Sequence, residues 1–157
     1  MVIEFENYLT FENIYLYTNL GVLPFWILLI AAPNSKTTQF FLNSIILPFL
    51  LASVYVYIIY QAILLDESFG DIFNLYLSLD NLYTLFSTDS FLLGFWIHFL
   101  SLNLFLGSWV SRDAIKFNIS RKVVLIPLIL IYLVGPAGLV LYYFIRIFFA
   151  KRLSLHD

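Results

Sequence analysis

Residues 90–113 read SFLLGFWIHFLSLNLFLGSWVSRD, and this stretch decides what kind of molecule the chain forms. For about twenty residues it is apolar enough to cross a bilayer. It nevertheless carries His98 and Asn103 at its centre and Arg112 and Asp113 at its end. Polar groups at that depth are costly unless they face other protein or a wet cavity, which marks them as candidates for a functional site. At roughly 100° per residue His98 aligns with Gly94, Ser101, Phe105, Ser108 and Arg112, whereas Asn103 falls about 140° round, with Trp96, Gly107 and Val110. Small or polar residues on two separate faces predict a central helix wedged among partner helices.

Composition points the same way. The chain has 157 residues, 62% of them apolar and 11% charged, with a mean hydropathy of +0.92. The predicted fold is all-α: a multi-pass membrane helix bundle of about four transmembrane helices plus one amphipathic interfacial helix. It forms a single domain over residues 1–157, with spans at about 14–32, 43–65, 90–112 and 123–149 and the interfacial helix at about 68–87. A net charge of -2 lacks the basic footprint of a nucleic-acid binder. Without cysteine there are no disulfides, thiolate metal sites or iron-sulfur clusters. The N-terminus, MVIEFENYLTFEN, is acidic where a signal or transit peptide is basic, so Met1 reads as a true start.

Towards the N-terminus, the first span enters through Tyr15 and Tyr17, contains Pro24 and ends at Pro33-Asn34. The carbonyl freed by Pro24 must find a partner in the bundle, and a kink there can shape a cavity lined by Asn19. The second span bends early at Pro48 and then gathers Tyr55, Tyr57, Tyr60 and Gln61. Such rings suit a long conjugated ligand, or equally an interfacial aromatic belt. Between the second and central spans, Phe69, Ile72, Phe73, Tyr76, Leu79, Tyr83 and Phe86 recur at helical spacing opposite Asp71, Asn74, Ser78, Asn81 and Thr88. This predicts an amphipathic helix, either an interfacial connector or a lid over the bundle mouth.

Towards the C-terminus, Arg112, Asp113, Lys116, Arg121 and Lys122 form a basic loop, in which Arg112-Asp113 reads as an interfacial anchor and local ion pair. The final apolar stretch is broken at Gly135-Pro136-Ala137-Gly138 and is expected as one tilted, kinked helix, with two half-helices as the alternative. Four alternating spans would place five of the basic residues on one side and three on the other; doubling back at Gly135-Pro136 would bring all eight together.

Of the two histidines, His156 is in the tail, so a multi-histidine di-iron site cannot be built by this chain alone, and no metal site is predicted. No Gly-rich phosphate loop, paired acidic site or Ser-His-Asp set is visible. His98 remains as the candidate for proton transfer, as the single axial ligand of a haem or chlorophyll-type pigment, or as a structural hydrogen-bonding group. A transporter or channel is disfavoured because no repeated half, charge ladder or pore-lining polar series appears.

Trp96-Ile97-His98, then Leu104-Phe105 and WVSRDA at 109–114, resemble the signature of the membrane family that includes the plant neoxanthin synthase of the abscisic-acid-deficient type and its bacterial relatives. Leu23-Pro24-Phe25-Trp26 with Ala32-Pro33, Leu85-Phe86-Ser87, Gly135-Pro136-Ala137-Gly138-Leu139 and Tyr55-x-Tyr57-x-x-Tyr60 are similar too. The family usually has aspartate where this chain has Asn103, which keeps hydrogen bonding but cannot act as a base.

The resemblance implies about four membrane helices and, for the plant members, conversion of violaxanthin to neoxanthin. That is a redox-neutral epoxide isomerisation requiring no metal or nicotinamide. On that basis His98 is the expected base and Tyr57 or Asn103 holds the oxygen. Asn19, Trp26, Tyr55, Trp96 and Ser101 are the expected contacts to a bound carotenoid or similar apolar, pigment-like ligand, with chlorophyll or haem on His98 as the alternative. The competing expectation is a non-enzymatic, pigment-binding subunit of a larger photosynthetic or respiratory membrane complex. In either case the partner is the lipid bilayer of a bacterial inner, photosynthetic or plastid membrane, with the short basic loops on the cytoplasmic or stromal side.

Overall fold

The computed structural model describes residues 9–42, 46–65, 73 and 76–151. Seven helices lie among them: α1 (Phe11–Ala31), α2 (Lys36–Phe41), α3 (Ile46–Leu65), α4 (Leu79–Phe86), α5 (Asp89–Lys116), α6 (Arg121–Val134) and α7 (Pro136–Ala150). No strand occurs among the described residues. Residues 43–45 of the expected second span, Phe69, Asp71, Ile72 and Asn74 of the expected interfacial helix, and Arg152 and His156 lie outside the described residues.

Local chemistry sets the helix ends. Thr10 starts α1 by accepting the Asn13 amide at 3.3 Å, and the helix stops at Ala32, which precedes Pro33 and is therefore pushed out of the helical region. Ser35 and Ser78 cap α2 and α4 in the same way, accepting from the amides of Thr38 and Asn81. Two helices, α1 and α5, are long and apolar enough to cross a membrane.

The central position expected for residues 90–113 is met by α5. Its buried positions include Leu93, Gly94, Ile97, Leu100, Asn103, Leu104, Gly107, Ser108 and Val110, which together occupy more than one face. Small residues allow the close approaches. A Cβ at Gly107 would lie 2.6 Å from the Trp26 ring, and one at Gly94 would lie 3.3 Å from Ile59. Helix α1 runs parallel to α5: Glu12 and Asp89 line one groove at their starts, while Leu29 and Ala114 line one cavity at their ends. Helix α3 is antiparallel, with Tyr55 beside His98 and the Pro48 carbonyl beside Ser101.

The final apolar stretch is not one kinked helix. Gly135 adopts φ +53, a left-handed conformation that glycine reaches without a Cβ penalty, and the chain turns back on itself there. A Cβ at Gly138 would lie 2.6 Å from the Pro127 carbonyl, so the first turn of α7 rests directly on α6. The two helices have 14 and 15 residues, or roughly 21–23 Å each, short of the ~30 Å of hydrocarbon. They form a hairpin whose tip meets Asn103, near the middle of α5.

The hairpin enters and leaves at the same end of the bundle. Arg121 Nη1 donates to the Ala31 carbonyl at 3.3 Å, and Arg146 Nε donates to Asp113 at 2.7 Å. The described cations Lys36, Arg112, Lys116, Arg121, Lys122, Arg146 and Lys151 therefore belong to connections or helix termini at this basic end. Glu12 and Asp89 mark the opposite, acidic end.

Helix α4 begins only at Leu79, so among the described residues the interfacial helix is shorter than its apolar periodicity suggested. It anchors through buried Leu85 and through Phe86, whose ring meets Phe91 and Phe95 at 5.1 and 4.8 Å. Tyr76, Leu79 and Tyr83 face outward, 77–85% exposed, so these described members of the apolar stripe are not folded down over the bundle mouth.

Candidate functional site

The residues expected to form a catalytic group are not brought together. His98 is exposed, with the partly buried Tyr55 ring at 5.7 Å. This corrects the expectation of an enclosed imidazole: the buried face of α5 runs through Gly94, Ile97 and Leu100, and His98 falls just outside it. Tyr57 is 37% exposed; its hydroxyl accepts from Gln61 at 3.0 Å. It lines a groove of about 390 Å³ with Ile14, Thr18 and Leu50, away from Tyr55 and His98. Asn103 is buried against Gly135 at the hairpin tip. Its Nδ2 is the buried side-chain atom left without a partner among the described residues.

The expected ligand contacts divide similarly. Trp26 is a core residue, its ring 5.4 Å from Tyr132 in an edge arrangement. Ser101 Oγ donates to the Pro48 carbonyl at 3.4 Å. Asn19 and Trp96 do come together. Trp96 Nε1 donates to Asn19 Oδ1 at 3.1 Å, while Asn19 Nδ2 donates to the Tyr15 carbonyl at 2.6 Å. The amide thus fixes the indole in one orientation. The Tyr15 ring stands 6.0 Å from Trp96, and Phe99 stacks on it at 5.4 Å.

Beside this pair lies an open groove of about 450 Å³, lined by Phe11, Glu12, Tyr15, Asp89, Leu92, Leu93 and Trp96. Aromatic faces and leucines supply flat apolar contact, and Glu12 and Asp89 supply carboxylate acceptors. Sequence reasoning missed both carboxylates. Each sits in the first turn of its helix, a position that favours acids whatever the function, so nothing distinguished them.

At the basic end Asp113 pairs with Arg146 across helices, not with its neighbour Arg112. One oxygen, Asp113 Oδ2, accepts from the Tyr142 hydroxyl and from Arg146 Nε, each at 2.7 Å. Arg146 is 2% exposed, and its guanidinium lies 4.8 Å from the centre of the Phe117 ring. A charge taken out of water survives only when paired and hydrogen-bonded, and here the pairing closes α7 onto α5. The signal was present: Arg146 interrupts the run YYFIRIFF, and Tyr142 precedes it by one helical turn. Nearby, Ser108 Oγ donates to the Leu42 carbonyl at 2.6 Å, satisfying the end of α2. Among the described residues, no three His, Asp or Glu side chains gather as a metal site.

A family model described as ABA DEFICIENT 4-like matches residues 13–142. The chain belongs to that family. No curated protein and no solved structure matches it. The ABA DEFICIENT 4-like match takes in Trp96, Asn19, the hairpin tip and the Asp113–Tyr142 contact, while Glu12 and Arg146 lie just outside it.

Proposed function

We propose that this ABA DEFICIENT 4-like chain is an integral membrane protein with three full crossings, α1, α3 and α5, and a re-entrant hairpin, and that it binds a carotenoid or a similar hydroxylated polyene. The observation that carries the reading is the acidic-end groove. Phe11, Tyr15 and an indole fixed by Asn19 offer flat surfaces for a cyclic end group, and Glu12 and Asp89 can accept hydrogen bonds from its hydroxyls. For a redox-neutral epoxide isomerisation these carboxylates, rather than His98, are the acid-base groups lining the groove. One would take the proton beside the conjugated chain, and the other, in its acid form, would return a proton to the epoxide oxygen.

Membrane orientation follows from the basic end. With the described lysines and arginines gathered there, that end belongs in the cytoplasm or stroma. A reporter fused after residue 157 is expected on the same side as one inserted at Lys36; opposite sides would overturn the hairpin topology.

The binding reading is tested by expression in a host that makes hydroxylated and epoxidised carotenoids, followed by mild purification and absorption spectroscopy. Wild type is expected to retain a carotenoid band that Trp96→Ala loses while still folded. A folded, colourless wild type would remove the proposal. A new xanthophyll in the host's extract would extend it to catalysis.

A second reading, an accessory subunit of a larger complex, is favoured by the aromatic surface of Tyr76 and Tyr83, which the bundle leaves uncovered. Stoichiometric co-migration with a respiratory or photosynthetic complex from native membranes would support it. A haem or chlorophyll spectrum lost in His98→Ala would instead place a pigment on the outer face of α5.

A further inference from the structure

A second cavity, of about 270 Å³, opens at the basic end between the end of α1, the end of α5 and the start of α6. Its interior is apolar, formed by residues such as Leu29, Ile119 and Leu128, and its rim carries Asn34, Asn118, Ser120 and Arg121. Within it lies Ser111, a buried residue 4% exposed that lines the cavity. A hydroxyl on the wall of an otherwise apolar space can donate to an acceptor placed there.

The rim is positive for three separate reasons. Arg121 makes a single hydrogen bond, to the Ala31 carbonyl, which leaves most of its five donors available. It also opens α6, whose N-cap Ser120 makes no side-chain capping bond; the Val123 and Val124 amides donate to the Ser120 carbonyl, which leaves the amides of Arg121 and Lys122 and the positive end of the helix dipole facing the rim. Finally, no Asp or Glu lines the cavity, and the nearby Asp113 is committed to Tyr142 and Arg146.

From this combination we infer that the basic-end cavity binds a phosphate-bearing amphiphile, specifically an anionic phospholipid. The phosphate meets Arg121 and the first amides of α6, the ester carbonyl below it accepts from Ser111, and the start of an acyl chain fills the apolar interior. A free phosphate ion would use the rim but leave the interior and Ser111 unused. The inference is independent of what occupies the acidic-end groove.

The test uses the full chain, delipidated in an uncharged detergent, with native mass spectrometry to count retained lipid and thermal unfolding to follow stabilisation. The probes are dioctanoyl phosphatidylglycerol, dioctanoyl phosphatidylcholine and inorganic phosphate. One phosphatidylglycerol per chain is expected, with little retention of phosphatidylcholine and no protection by phosphate alone. Arg121→Gln, at an exposed position, is expected to keep the fold and weaken binding by about tenfold or more, the loss expected for a charged hydrogen bond. Ser111→Leu fills the cavity and is expected to abolish retention. Equal retention of both lipids would overturn recognition of charge. Protection by inorganic phosphate equal to that by phosphatidylglycerol would overturn the amphiphile. Unchanged binding in R121Q would place the lipid elsewhere.

Discussion

At the basic end of the bundle, Asp113, Tyr142 and Arg146 turn inward and direct their hydrogen bonds at one another, whereas at the acidic end Glu12 and Asp89 stay on the surface and His98, midway along α5, faces outward. The same helix, α5, carries both arrangements. Where its polar groups meet α7 they close a contact between helices; where they meet only the surface they remain available to something else. Burial of a charge in this molecule therefore marks architecture, and exposure marks the places where a ligand can act.

The largest effect should come from breaking the closed end. Asp113→Ala removes the carboxylate that the buried Arg146 and the Tyr142 hydroxyl share and is expected to cost about 3–5 kcal/mol, seen as a large loss of thermal stability in detergent and of yield. Asp113→Leu combined with Arg146→Met should recover most of that loss, because removing both charges removes the desolvation penalty as well. Failure of the double variant to recover would mean that the pair does more than hold α7 against α5.

Next come the close approaches that set the bundle's shape. Gly107→Ala pushes a methyl into the Trp26 ring and is expected to cost about 1–3 kcal/mol by overpacking. Gly138→Val should exceed it, since the obstacle is the α6 backbone, which cannot rotate aside as a side chain can.

At the open end the expected stability changes are smaller and the functional ones larger. Trp96→Phe removes the indole donor to Asn19 and is expected to cost roughly 0.5–1.5 kcal/mol of stability, with a clear loss of retained polyene. His98→Ala should shift stability by no more than about 0.5 kcal/mol, as befits an exposed position. A shift beyond about 1 kcal/mol would blur the contrast between the two ends.

Much of the architecture was legible before any coordinates. The apolarity of the spans expected at about 14–32 and 90–112, the break at Gly135-Pro136 and the family motifs are written in the chain itself, whereas the cap at Ser78, expected inside a longer helix, was not legible there. Three things were decided only by tertiary structure. Whether Gly135 bends a helix or reverses it depends on one backbone angle that glycine permits either way. Which partner Asp113 takes depends on a residue thirty-three positions away. The side on which His98 lies could not be read because apolar periodicity marks a buried face only when the alternative is water. On the proposed membrane reading both faces of α5 are apolar, and packing against Ile58, Trp26 and Gly135 chose between them.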